Sequence, residues 1–207
     1  MRFHRCPRQV LVCAVLVLAA TACAGGADGE VSQEGKGGYL WKATDEICNA
    51  LPYGELADPL GAREEAADRN ERPGGGAPGV QCVQLLVETG PARYGNVKIE
   101  LDLAYAESVG FAEDVFRAVR DEPGRERPDG GTAEVKGVGK EAYRVLHNGP
   151  TELRQVRDLH VRDSNLMLDV TVTAEARTAP TPESLKALDA SVDDFARGVL
   201  KALRKEQ

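Results

Sequence analysis

The chain has 207 residues, of which 42% are hydrophobic and 29% are charged, and its formal net charge is −7. This length suits one folded domain with short extensions. Because acidic residues exceed basic ones and no basic stripe is present, the composition argues against nucleic acid or anionic lipid headgroups as the main partner.

The first predicted element is an export signal at residues 1–22. Arg2, Arg5 and Arg8 give it a basic start, an apolar run follows over residues 10–22, and acidic residues are absent. These features, with small residues at the end, are typical of a secretory signal peptide. At ~1.5 Å per residue the apolar run spans about 20 Å, too little for a hydrocarbon core of about 30 Å. Cleavage after residue 22 removes three arginines and takes the net charge from −7 to −10.

Cys23 follows the small residues 20–22 and resembles the lipid-modified cysteine of a bacterial lipobox. The same residues also match the pattern of ordinary signal peptidase, which would leave a secreted protein with a free thiol. Two of the five cysteines leave with the signal, so lipidation of Cys23 leaves Cys48 and Cys82 as an even pair. We therefore predict a lipid on Cys23 and a disulfide between the other two, with buried reduced thiols as the alternative for that pair.

Residues 23–38 are predicted to form the lipidated N-terminus and a flexible tether, because they are rich in glycine and lack an apolar run. A single domain is then predicted over residues 39–207. Residues 45–60 indicate short helical turns that end at Gly61. Residues 62–79, charged and then rich in Gly and Pro, indicate a mobile loop.

The middle of the chain alternates between strand and helix patterns. Residues 80–88 and 96–106 are rich in apolar and β-branched residues and predict two strands. Ser108 is a suitable cap for the helix that follows, and a polar loop is predicted at residues 121–131. Residues 132–147 then predict two short strands separated by a Gly-x-Gly break.

The last third predicts a hairpin and a long helix. Residues 153–162 and 165–176 flank Asp163-Ser164 as an antiparallel pair, with a bulge where the alternation slips near Val156-Arg157. Thr181 is the predicted cap of an amphipathic C-terminal helix. These elements predict an α+β fold, an antiparallel β-sheet of about five to six strands with helices packed mainly on one face.

The chain shows no pattern of residues typical of catalysis, of a metal site or of a cofactor site. His147 and His160 lie outside the signal, without a G-x-S-x-G elbow or metal-ligand spacing. In the sequence, His160 lies between Asp158 and Arg162. We favour the interpretation that it is a solvated histidine on an edge strand, and the alternative is a catalytic base oriented by a carboxylate. Residues 137–142 match G-x-G-x-x-A, but a strand pattern follows them, so we predict a tight turn rather than a dinucleotide site. The prediction is a protein that is not an enzyme.

Taken together, these motifs make the chain similar to the small actinobacterial envelope lipoproteins of unassigned function. The shared traits are a signal that ends at a cysteine, a Gly-rich tether, a partner cysteine that opens the first long strand, and two local motifs, Asp45-x-x-Cys48-x-x-Leu51 and residues 135–143. The resemblance implies a PsbP-like antiparallel sheet with flanking helices. It implies no activity.

Function is predicted from location and from what the chain lacks. We expect a monomeric lipoprotein on the outer face of the cell membrane, acting as a non-catalytic module that binds an envelope protein or a small ligand. One alternative is a carrier of an apolar ligand or lipid, held near Phe111, Phe116 and Phe195. A less favoured alternative is an envelope hydrolase that uses His160.

Overall fold

The computed structural model describes residues 38–39, 47–64, 72–73, 78–88, 93–122, 132–147 and 152–205. All of them belong to one compact unit, Val31–Gln207. The predicted signal at residues 1–22, the lipidation of Cys23 and almost all of the predicted tether lie outside the described residues, so these remain predictions.

The described chain alternates between short helices and long strands. The helical elements are a 3-10 turn at Ile47–Ala50 and three α-helices, α1 Gly54–Leu60, α2 Val109–Asp121 and α3 Pro182–Lys205. The strands are β1 Ala62–Glu64, β2 Arg72–Pro73, β3 Gly79–Glu88, β4 Tyr94–Tyr105, β5 Thr132–Glu134, β6 Glu141–Leu146, β7 Arg154–Asp163 and β8 Leu166–Ala176. None of the helices within these ranges is both long and apolar enough to cross a membrane.

All the strands form one antiparallel sheet, which confirms the α+β class. Seven strands follow the order β1-β3-β4-β8-β7-β6-β5, and β2 pairs with β3 beside β1. The predicted count of five to six strands is therefore too low. The additional strands β1 and β2 lie within residues 62–79, which were predicted to be wholly a loop. At three and two residues they are too short to show alternation.

The helix boundaries follow the capping signals of the sequence. Ser108 Oγ accepts the backbone N–H of Phe111 at 3.1 Å, and Thr181 Oγ1 accepts that of Ser184 at 3.2 Å. Each bond satisfies one of the donors that the first turn of a helix leaves free. Gly61 ends α1 at a φ of 65°, in the left-handed region that favours glycine.

The central hairpin β7–β8 differs from its prediction in two respects. Its turn is Ser164-Asn165, one residue later than predicted, and Ser164 has a φ of 60°. The predicted bulge near Val156-Arg157 is wrong, because the two strands pair without interruption from Arg154 to Asp163. The break in the apolar alternation arises because Arg157 itself faces the interior, where it is buried.

One face of the sheet, called the covered face below, packs against α1 and α3. The apolar stripe of α3 lies against alternate residues of the central strands, and the ring of Tyr53 stacks on that of Phe195 with 5.7 Å between centroids. The buried members of the stripe are Leu188, Val192, Phe195, Ala196, Val199, Leu200 and Leu203. The core of the domain therefore lies between the sheet and these two helices.

Helix α2 packs on the other face of the sheet. The ring of Phe116 contacts Tyr143, with 5.3 Å between centroids. Neighbouring side chains of a strand point to opposite faces, so Tyr143 projects away from Ala142, which belongs to the main core. The expectation that helices pack mainly on one face thus holds for α1 and α3 but not for α2.

Candidate functional site

The second face of the sheet carries a row of polar side chains that crosses five strands. In the strand register, Tyr143 of β6 pairs with His160 of β7, His160 with Asp169 of β8, Asp169 with Asp102 of β4, and Asp102 with Gln81 of β3. Residues that share a register row lie side by side on one face of the sheet. This row and its neighbours on the same face are called the open face below, because the described helices cover only its α2 end.

His160 is at the centre of the row. Its Nδ1 lies 2.7 Å from Asp169 Oδ1, and its ring stacks on Tyr143 with 4.6 Å between centroids and 20° between planes. Because a carboxylate only accepts hydrogen bonds, Nδ1 carries the proton. The predicted solvated histidine on an edge strand is therefore wrong. β7 lies inside the sheet, and the imidazole is fixed by an aromatic ring on one side and a carboxylate on the other.

A second histidine–carboxylate pair lies one register row away. His147, which directly follows β6, donates a hydrogen bond from Nε2 to Asp158 Oδ2. The other carboxylate oxygen of Asp158 is buried and has no hydrogen-bond partner among the described residues. Asp158 pairs in register with Thr171, and Thr171 with Glu100. The two rows together place four carboxylates on the open face.

These side chains surround a depression of about 470 Å³ in the open face. Within it, Gln81 Nε2 donates to Asp102 Oδ2 at 3.0 Å, and the Lys98 ammonium lies 2.8 Å from Glu100. Its lining is Gln81, Cys82, Val83, Lys98, Glu100, Leu101, Asp102, Asp158, His160, Asp169 and Thr171. Asp102 and Asp169 are direct cross-strand neighbours, an arrangement of like charges that costs stability unless a cation or a proton lies between them.

A second depression, of about 610 Å³, lies between α2 and the turn that joins β5 to β6. That turn contains the Gly-x-Gly motif, with φ of 77° at Gly137 and 60° at Gly139. A Cβ on Gly139 would come within 2.7 Å of the Arg162 carbonyl oxygen, so glycine is required there. The motif joins two antiparallel strands, as the sequence predicts, and does not open a helix.

The predicted cysteine pair is joined. Cys48, in the 3-10 turn, and Cys82, in β3, form a disulfide with their Cα atoms 5.5 Å apart. Both residues are buried in the main core. The bond fastens the N-terminal helical segment to the sheet.

A buried ionic network on the covered face has no counterpart in the sequence-based expectations. Arg157 Nε donates to Asp189 Oδ1 at 2.9 Å, and Arg144 pairs with Asp193 and donates to the backbone carbonyl of Asp189 at 3.1 Å. Burial raises the pKa of Asp193, which the neighbouring Arg144 partly offsets. The network joins α3 to β6 and β7. The only sequence signal for it is the interrupted alternation at Arg157.

A second buried cluster holds the N-terminal end of the described domain. Tyr39 Oη donates to Asp163 and accepts from Arg204 Nε at 2.9 Å. Its backbone N–H donates to Asn165 Oδ1 at 2.6 Å, and Asn165 Nδ2 donates to the Tyr39 and Ala106 carbonyls at 2.9 and 3.1 Å. Burial, then the Asp163 carboxylate, raises the pKa of the Tyr39 phenol.

The three phenylalanines of the carrier hypothesis are not brought together. Phe195 is fully buried between the sheet and α1, Phe116 packs on the opposite face of the sheet, and Phe111 is exposed at the start of α2. The sheet separates Phe195 from Phe116. Within the described ranges, no group of three or more His, Cys, Asp or Glu side chains is placed to hold a metal ion.

No family model and no curated protein matches the chain. The resemblance to envelope lipoproteins therefore stays a prediction.

Proposed function

We propose that the protein is a non-catalytic binding module, anchored to the outer face of the cell membrane through Cys23, and that the open face is its ligand-binding surface. The observation that carries this proposal is the depression of about 470 Å³ in a sheet face that the described helices leave largely uncovered. Ligand sites are typically concave, with a few convergent polar groups.

The charges of the depression favour a ligand with a positive charge. Four carboxylates line it, those of Glu100, Asp102, Asp158 and Asp169, against the single ammonium of Lys98. A ligand amino group between Asp102 and Asp169 would relieve their repulsion and gain charge-assisted hydrogen bonds. Candidate ligands in the envelope are cell-wall peptides with free amino groups.

The lining of the depression supports binding rather than covalent catalysis. A hydrolase built on His160 needs a serine, threonine or cysteine nucleophile in contact with that base. The lining contains no serine, and its one cysteine, Cys82, is held in the disulfide. Its one threonine, Thr171, pairs in register with Asp158, and among the described residues the hydrogen-bond partner of His160 is Asp169, not Thr171. His160 is therefore assigned the role of a fixed polar contact.

The disulfide is consistent with the proposed location, because such bonds persist mainly outside the cytoplasm. Metabolic labelling with a fatty acid tests the anchor. We expect label on the wild-type chain and none on Cys23→Ala. Equal labelling of the two chains contradicts the assignment of Cys23.

Calorimetric titration tests the binding surface with a matched pair of probes, a cell-wall peptide with a free amino group and the same peptide N-acetylated. We expect Asp102→Asn/Asp169→Asn to weaken binding of the free amine by about tenfold, the value of one charge-assisted contact. The control is Glu183→Gln/Asp194→Asn, two exposed carboxylates on α3, which should leave binding unchanged. Equal binding of both probes, or equal loss in both variants, contradicts the proposal.

A further inference from the structure

The cluster around Tyr39 fixes the point at which the chain from Cys23 reaches the domain. Tyr39 is held by Asp163 and Arg204 through its hydroxyl and by Asn165 through its backbone. These partners belong to the β7–β8 turn region and to the last turn of α3. The end of the domain that contains the β7–β8 turn is called the anchor end below.

Helix α2 begins at the same end and exposes apolar side chains there. Asn165 Nδ2 donates to both the Tyr39 and the Ala106 carbonyls, so Tyr39 lies beside the short segment that leads into α2. Val109 is 40% exposed and Phe111 is 49% exposed in the first turn of that helix. Exposed aromatic side chains next to an anchored terminus are suited to insertion among lipid headgroups.

The C-terminal end of α3 adds positive charge to the anchor end. Arg204 reaches Tyr39 and Asp163, and Lys201, one turn earlier, is exposed. The chain as a whole is acidic, which disfavours membrane binding without an anchor. Lys201 offers an ammonium to anionic headgroups, whereas Arg204 is already paired with Asp163 and the exposed Glu107 adds a negative charge beside α2.

The length of chain between Cys23 and Tyr39 limits how far the anchor end lies from the membrane. Residues 24–38 span roughly 20–25 Å on average if they form a coil. The far end of the 11-residue strand β8 lies roughly 35 Å beyond the anchor end, at about 3.3 Å per residue. Leu153, 53% exposed, lies at that far end, because its carbonyl accepts the N–H of Ala176.

We propose that the anchor end rests on the outer leaflet, with Val109 and Phe111 in the headgroup region and Lys201 facing anionic lipid. This inference depends on the proposed lipid at Cys23. The contact has too little apolar area to recruit the protein by itself. Recruitment to the membrane is instead supplied by the predicted tether, which would keep the domain at a high effective concentration near the bilayer. The open face, parallel to the strands, then stands roughly perpendicular to the membrane and is accessible to ligands.

Single-tryptophan variants test this orientation. In a Trp41→Phe background, Phe111→Trp and Leu153→Trp place one fluorophore at the anchor end and one at the far end. The lipidated chain is reconstituted in vesicles of phosphatidylglycerol and phosphatidylcholine, with and without brominated acyl chains. We expect bromolipid to quench the tryptophan at position 111 by about twofold and to leave that at position 153 unchanged, because only the former enters the interface. Adding Lys201→Glu should reduce the quenching.

Vesicle flotation separates the two proposals. If the chain does not float, the lipid anchor is wrong, and the same variants coupled through Cys23 to a maleimide lipid still test the orientation. If the chain floats and position 111 is not quenched, or both positions are quenched equally, the orientation is wrong. The Cys23→Ala form without vesicles provides the remaining control. A blue shift at position 111 that grows with protein concentration would assign this surface to a second copy of the chain and overturn the proposal.

Discussion

Removal of the Asp189 carboxylate should destabilise the domain far more than removal of another carboxylate from the same helix. The Arg157 side chain is only 3% exposed, and its Nε lies 2.9 Å from Asp189 Oδ1. In Asp189→Ala the guanidinium stays buried and, among the described residues, keeps only its hydrogen bond to the Val156 carbonyl. Breaking a buried ion pair typically costs about 3–5 kcal/mol. Because Asp189 is itself about a quarter exposed, we expect ~3 kcal/mol, at the lower end of that range.

Urea denaturation followed by circular dichroism, on the mature chain with Cys23→Ala, measures this loss. The matched control is Asp194→Ala, also on α3, whose side chain is 66% exposed beside Arg197. An exposed pair of this kind contributes at most about 0.5 kcal/mol. A loss below about 1 kcal/mol in Asp189→Ala, or equal losses in the two variants, would show that Asp189 does not compensate the buried charge of Arg157. The double variant Arg157→Met/Asp189→Leu should recover most of the stability, because an apolar pair of similar volume carries no unpaired charge.

Three further predictions concern stability. Cys48→Ser/Cys82→Ser should lower the free energy of unfolding by ~3–4 kcal/mol in urea denaturation, from the 34-residue separation of the two cysteines; a loss under ~1 kcal/mol contradicts it. Burial raises the pKa of Tyr105 from 10.0 to about 12. Between pH 10 and 12 the phenol of Tyr105 is ionised in the unfolded chain but still protonated in the folded one. The contribution of the protonated phenol to the free energy of unfolding is therefore complete below pH 10, and it falls by about 1.4 kcal/mol per pH unit as the pH rises. Tyr105→Phe should flatten the decline measured from pH 9 to 11, and an unchanged slope would show that another group causes it. Thr181→Ala should cost ~1 kcal/mol through loss of the α3 cap, whereas an unchanged midpoint would show that Thr181 Oγ1 does not support the helix.

The elements that the sequence predicts well are those with a local signal. Helix α3 has a cap at Thr181 and apolar residues at helical spacing, and each of these depends only on neighbouring residues. The Cys48–Cys82 disulfide followed from counting the cysteines that remain after the signal. The strand count was too low because β1 and β2 exist only through their pairing with β3.

The polar row was missed because it depends on strand register. A turn at Asp163-Ser164 would pair His160 with Met167, whereas the observed turn at Ser164-Asn165 pairs His160 with Asp169. A shift of one residue in the turn therefore changes every cross-strand partner of the hairpin. The local sequence does not distinguish the two turns, because both contain a residue that tolerates a left-handed conformation.

The position of α2 was not predictable for a related reason. The apolar stripe of α2 predicts that this side of the helix is buried, but it does not predict which face of the sheet the helix covers. Phe116 packs on Tyr143, an aromatic residue at the end of the polar row. The same placement leaves Val109 and Phe111 exposed.

Amide chemical-shift mapping shows whether the open face binds the ligand. The isotope-labelled mature chain, carrying Cys23→Ala, is titrated with the free-amine cell-wall peptide. We predict shifts at Gln81, at residues 98–102 and 158–171, and none in α1 or α3. Shifts confined to the helices of the covered face, or to the turn between β5 and β6, would show that the ligand binds elsewhere.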